Sequence, residues 1–333
     1  MAYIVIMWLQ NSSYRFRINP MVPIVVNIFI FAFMAITVEF EFMNGNFYFY
    51  LVMLLLVLTG FSTCLFQNAV FSEASQLPPV YLQAVLGGQG IAGIIVSITS
   101  IVSILLPTTS TNISAFVYFI VASFLSASAL MARFCISHNS YYLSQMKVTP
   151  ARHAENAVSV RRVLSESARY AFCVGYLFVV TIMVFPSITS LVKPVKPTID
   201  DNLFVAFHFL IFNMGDWMGR TLPLYDMFAT TNIHRITTLS VARTLFIPLF
   251  LICHVVPRVH GATFINNDLL FLALCWLFAL TNGWLCSLVM MAAPQAPGIR
   301  EEEKGMVGSI MSFTLVLGLA MGGSLSFVTR LMV

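Results

Sequence analysis

The stretch FYFYLVMLLLVLTGFSTCLFQNAVF, Phe47 to Phe71, runs for 25 residues without a single charged side chain. The hydrocarbon core of a bilayer takes about 20 residues of helix to cross, and a backbone inside it must pair its amides within helices or a closed barrel. The run has no strict alternation of apolar and polar residues and is longer than a barrel strand, which selects a helix. Comparable runs recur at roughly Met21 to Val38, Tyr81 to Leu106, Ile113 to Ile136, Tyr170 to Val192, Leu203 to Phe228, Thr238 to Val256, Leu269 to Ala292 and Lys304 to Met332. With a short apolar start, Ala2 to Leu9, they predict nine full transmembrane helices plus an N-terminal fragment.

Composition leads to the same fold class, an all-α polytopic membrane protein. The chain is 59% hydrophobic and 9% charged, with a mean hydropathy of +0.89, whereas soluble domains carry roughly 25% charged residues. A net charge of +4, scattered along the sequence, does not suggest nucleic acid as a partner. The bilayer itself is the expected surroundings. Six cysteines (Cys64, Cys135, Cys173, Cys253, Cys275, Cys286) lie in or beside apolar runs with neither metal-ligand spacing nor a disulfide framework, and read as small core residues. No His, Cys or Ser arrangement suggests nucleophilic catalysis or a metal centre, so neither an enzyme nor a cofactor is expected. No basic leader precedes the first apolar stretch, which argues against a cleaved signal peptide.

Lysine and arginine in the connections set the orientation. If SSYRFRINP faces the cytoplasm, that side receives twelve basic residues, from Arg15 and Arg17 through Arg133, Lys147, Arg152, Arg161, Arg162, Arg169, Arg220 and Arg235 to Arg300 and Lys304. The other side receives four, Lys193, Lys196, Arg258 and Arg330, with Arg243 inside a helix. The chain then divides into an N-terminal helix group over 1–136, a cytoplasmic basic loop over 137–168 and a C-terminal helix group over 169–333. The loop reads as a linker rather than an anionic-lipid contact, because acidic and polar residues dilute its charge.

Within the apolar runs, FNMGDWMGRTLP (Phe212 to Pro223) stands out. On a helix, Asn213, Asp216 and Arg220 fall within an arc of about 60°, one polar stripe with Phe209 beside it. A charge in the bilayer interior costs at least ~2.5 kcal/mol, tolerable only where it faces protein or water and has a partner. Asp216 and Arg220, four apart, can partner each other, either as a structural ion pair or as a substrate site in which Asp216 accepts from hydroxyls and Arg220 donates. The neighbouring guanidinium argues against a proton relay.

Gly60, Thr63 and Gln67 share a second face. Gln67 has the donor and acceptor needed to read a heterocyclic base, or it is interhelical glue. In LPPVYLQAVLGGQGIAG (Leu77 to Gly93) the prolines break the helix, and Gly87, Gly88, Gly90 and Gly93 admit close approach of a neighbour or ligand. Gly318, Gly322 and Ser326 make a small-xxx-small packing face.

At these residues the chain resembles the equilibrative nucleoside transporter family. The matching blocks are LPPVYLQAVLGGQGIAG, FPSITSLVK (Phe185 to Lys193), FNMGDWMGRTLP, VARTLFIPLFLIC (Val241 to Cys253), LTNGWLCSLVM (Leu280 to Met290) and EEEKGMVGSIMSFTLVLGLAMGGSLSF, in the family's order and spacing. The resemblance implies a major-facilitator-like helix bundle and facilitated, alternating-access transport of nucleosides and, in some members, nucleobases. It implies the plasma membrane, or else an endosomal one. It also implies a substrate site in which Gln67 contacts the base, Asp216 and Arg220 engage the ribose hydroxyls, Asn213 lies nearby, and Gly88 matters for transport and inhibitor sensitivity. The family's first helix and most of its second are expected to be missing. The alternatives kept open are a truncated, non-transporting membrane paralogue or interaction protein, and a carrier of another polar solute.

Overall fold

The structure, a computed structural model, describes residues 19–38, 44–105, 111–153, 160–195, 200–255 and 264–331. Ala2 to Leu9, where the N-terminal fragment is expected, lies outside the described residues, as do Arg15, Arg17, Lys196 and Arg258. Among the described residues there is no strand, only two isolated bridges, Val192 to Val255 and Cys253 to Ile265.

Eleven α-helices follow one another: α1 (Met21–Thr37), α2 (Gly45–Ala74), α3 (Pro79–Leu105), α4 (Thr111–Ser137), α5 (Ser140–His153), α6 (Val160–Val184), α7 (Asp201–Thr221), α8 (Ile233–Ala242), α9 (Phe246–Leu251), α10 (Asp268–Ala292) and α11 (Lys304–Leu331). Six of them, α2, α3, α4, α6, α10 and α11, are long and apolar enough to cross a membrane. The other three expected spans are also helical but less regular. The first, α1, has 17 residues. The helix α7 carries Asp216 and Arg220 within its length. The span from Thr238 is split into α8 and α9 by a 3-10 turn, Arg243–Leu245, because Pro248 offers no N–H to the carbonyl of Thr244 one turn back.

Several boundaries differ from the sequence reading: α6 ends at Val184 rather than Val192, and α7 at Thr221 rather than Phe228. The α6 helix starts at Val160 rather than near Tyr170, since Arg161, Arg162 and Arg169 end an apolar run without ending a helix. Residues 137–168, read as a loop, contain α5. That helix is held at its start, where the Tyr142 hydroxyl donates to Glu73 on α2 at 2.8 Å and Arg133 on α4 makes a two-pronged pair with the same carboxylate at 2.5 and 3.0 Å.

Polar caps set several helix starts. Asn267 accepts from the amides of Leu269 and Leu270 at the head of α10, and Asp200 accepts from Leu203 at the head of α7. At its other end α7 stops at Thr221, the second residue before Pro223.

The helices pack α1 on α2 and α4, α2 on α11, α3 on α7, α7 on α10, and α6 on α10 and α11. One buried cluster, including Phe71, Leu86, Leu177, Ile236, Val289 and Met311, joins helices from both halves of the chain. A second, with Val184, Phe204, Phe212, Phe250, Phe271 and Phe278, is confined to α6, α7, α9 and α10 with their flanking segments. The expected packing face on α11 is present: side chains added at Gly318 and Gly322 would strike the carbonyls of Gly175 and Val179 on α6. Four cysteines are buried as expected, but Cys64 is half-buried and Cys135 is exposed on α4, so the reading as core residues does not hold for these two.

Candidate functional site

The polar stripe of α7 faces two neighbours. Its helix is sandwiched between α3 and α10, and glycines bring the backbones together on both sides. An added side chain at Gly219 would meet Leu280 O, and one at Gly283 would meet Asp216 O and the amide of Arg220. On the α3 side, Gly90 lies against Trp217 and Gly93 against the Asn213 side chain. Of the four α3 glycines noted in the sequence, Gly90 and Gly93 serve close helix approach. Gly88 is exposed, with nothing within 4 Å of where a Cβ would stand.

Asp216 and Arg220 form the anticipated pair, Arg220 Nε donating to Asp216 Oδ2 at 2.7 Å. They are 6% and 7% exposed. Arg220 also crosses to α3: its Nη1 donates to Leu86 O at 3.1 Å and to Gln89 Oε1 at 3.2 Å, while Gln83 Nε2 donates to Arg220 O at 3.1 Å. One side chain therefore belongs to both helix groups. The second carboxylate oxygen, Asp216 Oδ1, accepts from Asn282 Nδ2 on α10 at 2.7 Å. Each carboxylate oxygen thus keeps lone-pair capacity beyond its protein partner. Asn213 is one turn away, donating to Ser97 Oγ on α3 at 2.8 Å and to Phe209 O at 3.0 Å.

Gln67 sits in a different set of contacts. Its Nε2 donates to Ser312 Oγ on α11 at 3.3 Å, while Thr63, one turn before it, accepts from Asn27 on α1. Among the described residues no hydrogen bond links Gln67 to the α7 stripe. The structure thus joins Asp216 with Arg220 directly, keeps Asn213 on the same helix, and puts Gln67 at the seam of α2 with α11.

Behind Asn282 lies a residue that the sequence reading noted without assigning. Arg243 is 2% exposed at the break between α8 and α9. It donates to Phe278 O at 2.8 Å and to Thr181 Oγ1 at 3.1 Å, contacts the Thr281 hydroxyl, and stacks 4.4 Å from the Phe278 ring centre. Asn282 and Gln89 also belong to this cluster. The signal for Arg243 was a lone basic residue inside an apolar run, and for Asn282 a carboxamide in LTNGW. A cleft of about 470 Å³ between α6 and α8, lined by Arg169, Phe172, His234 and Thr237 among others, involves none of the predicted site residues. No group of three or more His, Cys, Asp or Glu side chains among the described residues is arranged to hold a metal.

A multi-pass helical bundle whose buried ion pair is bonded to both neighbouring helices is a polytopic membrane protein with a polar interior. Comparison with known proteins narrows that class. The family model for nucleoside transporters matches residues 52–167 and 144–331. The chain is 28% identical over 312 residues to human equilibrative nucleoside transporter 1, covering 83% of this chain and 68% of that protein. It is 29% identical over 323 residues to human equilibrative nucleoside transporter 2, covering 82% and 70%. To equilibrative nucleotide transporter 1 of Arabidopsis thaliana it is 25% identical over 291 residues, covering 81% and 61%. The chain belongs to the nucleoside transporter family, a family of transporters and not of enzymes. Its similarity to equilibrative nucleoside transporters supports nucleoside transport.

Proposed function

We propose that this chain carries nucleosides, and more weakly nucleobases, across the plasma membrane by facilitated, alternating-access transport. The observation that carries the proposal is the Asp216–Arg220 pair, whose partners Leu86, Gln89 and Asn282 come from helices of both the 1–136 and the 169–333 groups. A ribose offers hydroxyls that both donate and accept. Its donors suit the remaining lone pairs of Asp216, and its acceptors suit the guanidinium of Arg220. Gln67 reads the base from the α2 side, Asn213 holds α7 to α3 next to the sugar, and the open face at Gly88 leaves room for the substrate. A nucleobase alone forgoes the sugar contacts and binds less well.

In this scheme the two helix groups rock about the bound nucleoside, and the contacts of Arg220 with α3 form on one side of the cycle and break on the other. Binding is moderate, since a carrier that held its cargo tightly would release it slowly. Flux then runs down the concentration gradient and stops when the two sides equalise.

Proteoliposomes holding this chain and given labelled uridine or adenosine test the reading. Saturable uptake that stops at equal concentrations is expected, with Asp216→Asn and Arg220→Ala each lowering uptake per folded carrier at least ~10-fold, the worth of a hydrogen bond to a charged group. Absence of flux overturns transport by this chain. Uptake unchanged in both variants overturns the site.

A further inference from the structure

Arg243 does not reach the ion pair directly, yet it is the most thoroughly enclosed cation among the described residues. Its side chain is tied down by α6 and α10, and no carboxylate among the described residues pairs with it. From it a directed chain of hydrogen bonds runs toward the sugar site. Arg243 Nη2 donates to Thr181 Oγ1 at 3.1 Å, and the single proton of that hydroxyl has two acceptors in reach, Asn282 Oδ1 at 2.7 Å and Leu177 O at 2.8 Å, with Arg243 Nη2 itself 3.5 Å from the Asn282 oxygen. Asn282 Nδ2 then donates to Asp216 Oδ1 at 2.7 Å.

The two ends of this chain settle how the Asn282 amide is turned. A guanidinium can only donate and an ionised carboxylate can only accept, so the amide oxygen must face Arg243 and Thr181, and the NH2 must face Asp216. Flipping it would set oxygen against carboxylate on one side and N–H against N–H on the other. Asp216 is consequently gripped at both oxygens, by Arg220 on its own helix and by Asn282 from α10, and its plane is fixed.

We infer that Arg243 is a positioning residue for sugar recognition, acting through Thr181 and Asn282 to hold the Asp216 carboxylate in the attitude that receives ribose hydroxyls. This rests on the reading of Asp216 as the sugar-binding group. The buried network contains two guanidiniums and one carboxylate, a balance better suited to an electron-rich polyhydroxyl ligand than to a cation. Without Arg243 the Asn282 amide oxygen keeps only the Thr181 hydroxyl, whose single proton also has the Leu177 carbonyl within reach, so Asp216 is held less firmly while keeping its charge.

The test is the preference for uridine over 2′,3′-dideoxyuridine, measured as the ratio of Vmax/KM for uptake into proteoliposomes. Arg243→Met is expected to lower that ratio about tenfold, the worth of a hydrogen bond to a charged group. In an Asn282→Leu background the same substitution should change it less than about twofold, because the path through the amide is already cut. Thr181→Val, a smaller perturbation of the same chain, should lower the ratio in the same direction and serves in its place if Arg243→Met does not fold. Total uptake that falls while the ratio holds overturns the inference and makes Arg243 merely structural, as does an equal fall of the ratio in both backgrounds. A ratio that survives Asp216→Asn overturns the sugar-site reading itself. A ratio lost in Asp216→Asn but intact in both Arg243→Met and Thr181→Val overturns only the role of Arg243.

Discussion

The membrane-crossing helices α2, α3 and α4 and the later ones α6, α10 and α11 are similarly apolar, yet they pack by different means. In the membrane-crossing stretch of α6 half of the residues are buried, and in that of α10 44%; in α4 none are, and in α2 6%. The later helices meet through glycines that let one backbone touch another, as at Gly219, Gly283 and Gly318, and through the polar chain from Arg243 to Arg220. The earlier ones meet through sparser contacts such as Ser62 to Pro23 O and Asn27 to Thr63. Lipid tails are as apolar as leucine, so burying apolar area does little to drive helices together inside a bilayer. Small residues and satisfied polar groups separate an interior from a lipid face here, and hydropathy alone does not.

This contrast can be broken most severely at a glycine. Gly283→Leu places a side chain on the α7 backbone and is expected to exceed the ~1–3 kcal/mol of ordinary overpacking, so that no monodisperse protein elutes on size exclusion. Gly60→Leu on α2, where nothing stands within 4 Å of the added atom, is expected to shift stability by no more than about 0.5 kcal/mol in a thermal melt. Next in size is the buried pair. Asp216→Ala leaves the buried Arg220 guanidinium without its carboxylate and should cost about 3–5 kcal/mol, whereas Asp216→Asn keeps an acceptor for Arg220 and should cost less.

The pair between Arg133 and Glu73 is about one-seventh exposed on each side, and solvent weakens it. Glu73→Gln is expected to cost about 1 kcal/mol in the same melt, the upper end for exposed pairs. Smallest among the losses of a contact is Tyr142→Phe, which removes one hydrogen bond to Glu73 and should cost about 0.5 kcal/mol. That last effect has a pH signature. Burial, then the adjoining Glu73 carboxylate, raise the Tyr142 hydroxyl above its ordinary value of 10.0. A raised value means that the protonated donor is favoured in the folded protein. Its contribution is therefore fully present below about pH 10 and fades as pH climbs through the raised value. Melts of the parent and of Tyr142→Phe should differ by a constant amount from about pH 7 to about pH 9 and converge only above about pH 10.

Helix length was legible in the sequence wherever apolar length and helix length coincide. The ends of α2, α3, α4, α10 and α11 fall within a few residues of those expected. It was not legible at α6, where basic residues extend the helix past the apolar run, nor at α5, whose tyrosines and polar side chains carry no membrane signal. In the site, the pairing of Asp216 with Arg220 could be read from their spacing, because neighbours four apart on a helix meet regardless of fold. The contributions of Asn282, Thr181 and Gln89 could not, since Asn282 and Gln89 depend on which helices lie against α7 and Thr181 on which lies against α10. Gly215 and Gly219, four apart on the same helix, meet α10 closely beside the charged stripe, a small-xxx-small pair that the sequence reading did not single out.

A guanidinium has a fixed number of donors, and Arg220 divides its own between Asp216 on its own helix and the Leu86 carbonyl and Gln89 amide of α3. Any newcomer that recruits one of those N–H groups withdraws it from the clasp between α7 and α3. On the transport reading proposed above, a solute that draws on the Nη1 donors would loosen that clasp as it binds, whereas one held by Nη2 would leave it closed.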